Sequence, residues 1–156
     1  MTHIRLAALA VIGGLALAPA AQSQPLMSDN PKGRAAVGLL DMAFNQHKVP
    51  EAFDKYVGPT YSQSGGPDAK AATIGFLTAA VQRNPDFRYD FKRVLLDRDV
   101  AAVYAMVYLN KTDPGSKVVD FFRFEKGRIV EHWDVIQPLT PASGLAPRPP
   151  AATPPG

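Results

Sequence analysis

The sequence predicts an α+β fold: three N-terminal helices packed in a strongly bent antiparallel sheet. Two observations carry this. Apolar residues recur at helical spacing between Pro31 and Asn84, and from Phe87 onward the period drops to two. Helical and extended segments are also segregated along the chain. Helices followed by a run of strands point to α+β, not to a parallel βαβ sheet.

Asn30-Pro31 begins the first helix, with Asn as the cap and Pro at the first helical position. Ala36, Leu39, Leu40, Ala43 and Phe44 form its apolar stripe. Val49-Pro50 opens a second, short helix with Phe53 and Val57 on one side. Pro59 to Pro67 is turn-rich, with an extended stretch at Tyr61 to Ser64. Asp68 is placed to cap a third helix with Ala71, Ile74, Leu77 and Val81 inward, and Asn84-Pro85 ends it. In the next segment Phe87, Tyr89 and Phe91 alternate with Arg88, Asp90 and Lys92. The alternation slips near Arg93 to Leu96, which predicts a β-bulge and a bent strand. Asp97-Arg98-Asp99 turns the chain into a long strand, Val100 to Asn110, that is apolar on both faces. Asp113-Pro114-Gly115 suits a type II turn. Two more strands follow, joined at Glu125-Lys126-Gly127.

Neither end belongs to this core. Met1 to Arg5 is a positive start, Leu6 to Ala18 an apolar run, and small residues follow through Ser23. That layout is a secretory signal peptide over residues 1–23, cleaved after Ala20 or Ser23. A membrane anchor is the alternative, but the run is short of the about 20 apolar residues a span needs. The expected location is periplasmic or secreted, with no stable membrane anchor after cleavage. Residues 24–30 form a linker, 31–137 the folded domain, and 138–156 a tail holding seven of the 15 prolines. Such a tail is disordered or polyproline-like by composition.

The 156-residue chain has no cysteine, so disulfides, thiol catalysis and Cys-ligated metals are excluded. Its formal charge is +3, and loss of Arg5 with the leader makes it +2. The basic residues are scattered singly, which leaves no nucleic-acid footprint. Gly65-Gly66 lacks the context of a phosphate loop, and Ser62 and Ser64 lack that of a nucleophile elbow.

The chemistry concentrates between Val118 and Gln137. Both apolar runs carry acids, and the second holds His132, Trp133 and Asp134. With a three-residue loop and Gly127 in a bulge, Phe124 faces Arg128, Asp120 faces His132 and Val118 faces Asp134. Asp120, His132 and Asp134 then share one face with Phe122, Phe124 and Val130. Phe121, Arg123, Ile129, Glu131 and Trp133 occupy the other. A carboxylate in an apolar pocket gains basicity by desolvation and can take a carbon-bound proton. The same three residues could equally form a satisfied structural network. Metal binding has no supporting ligand spacing.

Tyr61-Ser62-Gln63 and the run from Val119 to Gln137, closing on Glu131-His132-Trp133-Asp134-Val135-Ile136-Gln137, resemble the SnoaL-like branch of the nuclear transport factor 2-like superfamily. The resemblance covers roughly residues 31–138. It implies a cone-shaped α+β barrel with a mostly apolar pocket, and a family that includes polyketide cyclases, ketosteroid isomerases, dehydratases and non-catalytic binding modules. The enzymes typically need no cofactor and use a pocket Asp as acid–base. Carried onto this chain, the catalytic candidates are Asp120, His132 and Asp134. The expected pocket residues are Tyr61, Gln63, Tyr104, Met106, Phe122 and Trp133, with Tyr104 or Asp134 stabilising an oxyanion. Two departures stand out: Ser64 occupies a place that relatives usually fill with His, and Tyr104-Ala105-Met106 replaces a frequent His-x-His.

The expected function is a cofactor-free acid–base enzyme acting on a small apolar carbonyl compound by aldol cyclisation or isomerisation. A non-catalytic binding protein for small hydrophobic ligands is the competing expectation. The doubly apolar strands also predict a homodimer, because one sheet face is left without helices.

Overall fold

A computed structural model of the chain describes residues 28–139. The leader, residues 24–27 of the linker and the tail beyond Leu139 lie outside the described residues. Helix α1 spans Pro31–Leu40, α2 Val49–Tyr56 and α3 Lys70–Arg83. The strands are β1 Val57–Gln63, β2 Arg88–Asp97, β3 Val100–Tyr108, β4 Ser116–Glu125 and β5 Arg128–Pro138.

Local chemistry sets the helix ends. The Asn30 side chain accepts from the Lys32 amide at 2.9 Å, satisfying one of the free N–H groups of α1. After Leu40 the helix widens into a π-turn over Asp41–Asn45. The C-terminus of α2 is closed by Arg128, whose guanidinium donates to the carbonyls of Lys55 and Asp54 at 2.6 Å each. A cation at that end also opposes the helix dipole. Asp68 accepts from both the Tyr61 and Lys70 amides at 3.2 Å, tying β1 to the start of α3. On α3, Val81 is buried and Ile74 and Leu77 pack on the core, whereas Ala71 is exposed.

The sheet order is β1-β5-β4-β3-β2. Strands β2 to β5 form an antiparallel meander, and β1 adds parallel to β5. The sheet is therefore mixed and open, with β1 and β2 at its edges. Two bulges bend it. In β2, Phe91 pairs with Ala105 and Arg93 with Tyr104, leaving Lys92 as the extra residue close to where the alternation slips. In β5, Arg123 pairs with Glu131 and Phe124 with Ile129, which makes Val130 the extra residue.

That second bulge corrects the predicted hairpin register. Lys126 and Gly127 both have positive φ (49° and 77°), forming a two-residue turn that pairs Glu125 with Arg128. The extra residue sits at Val130, not in the loop. Beyond it, Phe122 faces His132, Asp120 faces Asp134 and Val118 faces Ile136. The register differs from the expected one by two positions, so every side chain past the bulge keeps its predicted face. Before the bulge the parity changes: fully buried Ile129 joins Phe122 and Phe124 in the core.

The helices cover one face of the sheet. Ala36, Leu39, Leu40, Val49, Ala52 and Phe53 pack on Ala101, Val103, Phe122, Phe124 and Ile129. On the other face Phe121 and Trp133 stack with ring centroids 5.4 Å apart. Strand β3 alternates strictly, with Ala101, Val103, Ala105 and Val107 buried and the residues between them partly exposed.

Candidate functional site

Toward one end of the sheet the helices part from it and leave a cavity of about 670 Å³. Leu40, Ala43 and Phe44 line one side, α3 contributes Ala72, Thr73, Phe76 and Ala80, and Phe87 just ahead of β2 joins Tyr89, Val107 and Phe122 of the sheet. Of the expected site residues, Asp120, His132, Asp134, Tyr61, Gln63 and Phe122 all reach this cavity.

Three expected pocket residues do not line it. Tyr104 pairs with Val119 and Met106 with Lys117, whereas the pocket face of the same two strands carries Val103 opposite Asp120. Strand alternation therefore turns Tyr104 and Met106 to the outer face. Trp133 pairs with Phe121 and stacks on it there. An apolar pattern on both faces of β3 gives no phase, so the sequence alone could not assign the side.

Polar groups on the pocket wall are joined in one chain. The Tyr61 hydroxyl donates to Gln63 Oε1 at 2.6 Å. Gln63 Nε2 lies 3.0 Å from His132 Nδ1, and His132 Nε2 lies 2.9 Å from Asp120 Oδ1. With Gln63 oriented to accept from Tyr61, its amide donates to Nδ1 and the imidazole proton sits on Nε2, aimed at Asp120. His132 Nδ1 is also 3.2 Å from Gln63 Oε1, which gives a protonated imidazole a partner too.

Asp120 is only 2% exposed, and its Oδ2 has no hydrogen-bond partner. Burial drives its pKa above the usual carboxylate range; His132 opposes this and Asp134 adds to it. An unpaired buried carboxylate oxygen is costly, which is why such groups mark sites of function. Tyr61 and Tyr89 are both pushed well above the ordinary phenol range, first by burial and then by the charges of Asp120 and Asp134, so both stay protonated. The Tyr89 hydroxyl is close enough to feel Asp120 but lies outside hydrogen-bond geometry with Oδ2.

Tyr89 is the site residue that sequence reasoning missed. It sits in the alternating row with Phe87 and Phe91, and its hydroxyl among those phenyl rings was the available signal. Its ring stacks on Phe44 at 4.8 Å. Its backbone is held by Asn45, which accepts from the Tyr89 amide at 2.7 Å and donates to its carbonyl at 3.1 Å. The π-turn positions Asn45 for this, so the irregular end of α1 sets one wall of the pocket.

Asp134 stands across the ladder from Asp120 yet is exposed. Strand β1 leaves β5 after Gln63 pairs with His132, through a turn with Ser64 and Gly65 at positive φ. The last residues of β5 therefore have no neighbour on that side, and the cavity opens there. Its rim is apolar: Phe76, Leu109 and Ile136 line it at 68%, 46% and 56% exposure. Among the described residues no three His, Asp or Glu converge to hold a metal ion.

A family model described as a SnoaL-like domain matches residues 36–132. No curated protein matches the sequence. Solved structures share the fold. One is a provisionally assigned polyketide cyclase of Acidithiobacillus ferrooxidans (18% identity, TM-score 0.60, 70% of this chain and 91% of that one). A SnoaL-like polyketide cyclase of Agrobacterium tumefaciens is similar too (16%, 0.57, 68% and 91%). So is AclR of Streptomyces galilaeus, provisionally assigned as a hydroxylase (16%, 0.56, 68% and 88%). At these identities the likeness shows fold alone, and a fold hosts many chemistries.

Proposed function

Because the chain belongs to the SnoaL-like domain family, we propose that it is a cofactor-free acid–base enzyme acting on a small, largely apolar carbonyl compound. One observation carries the reading: Asp120 is a buried carboxylate with one oxygen bonded by His132 and the other unpartnered at a cavity it lines.

The geometry suits proton abstraction next to a carbonyl. Asp120 Oδ2 takes the α-proton, and the C–H electrons move into an enolate. His132 holds Oδ1 and keeps the carboxylate oriented, while Gln63 and Tyr61 fix the imidazole tautomer. Tyr89, a neutral phenol beside Asp120, donates to the developing enolate oxygen, the role the sequence suggested for Tyr104. The enolate carbon then attacks a second carbonyl of the same molecule, closing a ring, and the alkoxide so formed takes back the proton held by Asp120. Alternatively the protonated Asp120 returns its proton at another carbon, giving an isomer. The apolar lining raises the basicity of Asp120 and excludes competing water.

The test does not depend on the identity of the product. Mature protein is incubated with 2-tetralone in deuterated buffer, and α-proton loss is followed by NMR. Exchange faster than buffer, abolished in Asp120→Asn, supports the reading. Equal exchange with and without the Asp120 carboxylate overturns it.

The competing reading, a carrier without turnover, is favoured by the cavity lining, most of which is apolar. Ligand-induced thermal stabilisation without α-exchange would identify it. Export through the leader at residues 1–23 and dimerisation through the Phe121–Trp133 face complete the proposal. The partly exposed aromatic and apolar side chains of that face support the second.

A further inference from the structure

We infer that the cavity sorts its ligands by charge, admitting apolar molecules that carry an ammonium group and rejecting carboxylates, with Asp134 as the counter-charge. This rests on the reading that a small apolar ligand occupies the cavity.

The chain as a whole is basic, with 17 Lys and Arg against 14 Asp and Glu. The cavity wall is the reverse. It includes Asp113, Asp120 and Asp134; neither Lys nor Arg lines it, and its one basic side chain, His132, is already bonded to Asp120 at 2.9 Å. Asp113 is held as an anion: its carboxylate accepts from the Leu109 amide at 2.7 Å and from the Gly115 amide at 2.9 Å, which lowers its pKa. Asp134 makes no ion pair among the described residues. It also faces Asp120 directly across the ladder, an arrangement that is unfavourable for two carboxylates unless something offsets it.

Asp120 supplies the independent sign that this acidic wall awaits a ligand, because it is 2% exposed and its Oδ2 is unpartnered. An ammonium group at Asp134 would offset the facing carboxylates. Its apolar body would then lie along the β4 wall. That wall runs from Ser116 through Val118 to Asp120 and Phe122, with Ser116 and Asp120 roughly 13 Å apart at strand spacing. Phe44, Tyr89 and Phe122 offer aromatic faces, which attract cations as well as rings. A carboxylate ligand would meet a negative potential with no Lys or Arg partner, which is discrimination by repulsion.

The test uses three probes on one skeleton: 2-naphthylmethylamine, 2-naphthylmethanol and 2-naphthoate, titrated calorimetrically into the mature full-length protein near neutral pH. The expected order is amine, then alcohol, then carboxylate, with at least about tenfold between the first and last, equivalent to about 1.4 kcal/mol. In Asp134→Asn the amine should fall to the level of the alcohol, while the alcohol changes less than about twofold. Naphthoate binding as tightly as the amine, or Asp134→Asn weakening all three probes equally, overturns the inference. Alcohol binding without any preference for the amine overturns this inference alone. No binding of any probe overturns it together with the cavity reading beneath it.

Discussion

Asn45 acts as a one-residue strand partner for Tyr89, meeting both its amide and its carbonyl through the two ends of one carboxamide. Strand β2 is an edge, and Asn45 satisfies the backbone that the missing neighbour would have bonded. Replacing Asn45 by Ala should cost about 1 kcal/mol for each bond lost. It should also loosen the Tyr89 wall, so that ligand affinity falls together with the melting temperature. Asn45→Asp keeps only the acceptor and sets a second carboxylate against Asp41, to which the Asn45 amide also donates at 3.0 Å, so a melting temperature below wild type is expected by calorimetry.

Asp120→Asn preserves size and removes the proposed base. Turnover should drop by about 10²–10⁴-fold, the range typical of a lost general base, with an unchanged circular dichroism spectrum. Thermal stability should hold or rise, because the substitution removes a desolvated carboxylate.

The raised pKa of Asp120 fixes the direction of two pH effects. The native state binds this proton more tightly than the unfolded chain. Stability from this group is therefore full below the ordinary Asp range, and is lost as pH climbs from there through the native pKa. With Asp120 as the proposed base, activity should run the opposite way, rising as Asp120 ionises. Asp134 contributes to the upward shift, so Asp134→Asn should move the rising limb of kcat/KM toward lower pH. A limb that moves upward or stays put in that variant would argue against coupling between the two acids.

Gln63 reaches Asp120 only through His132, which gives it a positioning role in the proposed reaction. Gln63→Leu should lower kcat more than it raises KM. It should also shift the ¹⁵N signature of His132 away from a single Nε2–H tautomer. An unaltered imidazole spectrum would place Gln63 outside the relay.

The outer face should hold a second copy. Tyr104→Glu puts a charge among the aromatic and apolar side chains there without touching the cavity. Sedimentation should show dimer in wild type and monomer in the variant, with ligand-induced stabilisation retained.

Local signals were legible in the sequence, and long-range ones were not. Asn30-Pro31 and Asn84 mark helix ends because capping is settled within a few residues, whereas the N-cap position of α3 falls on Ala69, one residue after the expected Asp68. The pocket face of the closing hairpin was legible because a two-residue register change leaves side-chain parity intact. Where the extra residue sits was not: Gly127 and Val130 are both compatible with the apolar pattern, and the helices packed on Ile129 decide between them. Tyr104 and Met106 carry no signal of which face they take, because β3 is apolar throughout. The caps that cross the fold, Arg128 on α2 and Asn45 on Tyr89, join residues 73 and 44 positions apart and have no local signature.

The meeting of β1 with β5 has a kinetic consequence. The relay closes between Gln63 and His132, residues 69 positions apart, at the parallel contact between the two strands. Contacts of such long sequence separation carry a loop-closure cost and belong to the late part of folding. The helices and the antiparallel meander, with its His132–Asp120 bond, can assemble from nearer neighbours, but the Nδ1 side of His132 finds its partner only when β1 docks. A chain caught before that step would present the apolar walls without an aligned base, so proton-transfer competence would be among the last properties that folding confers.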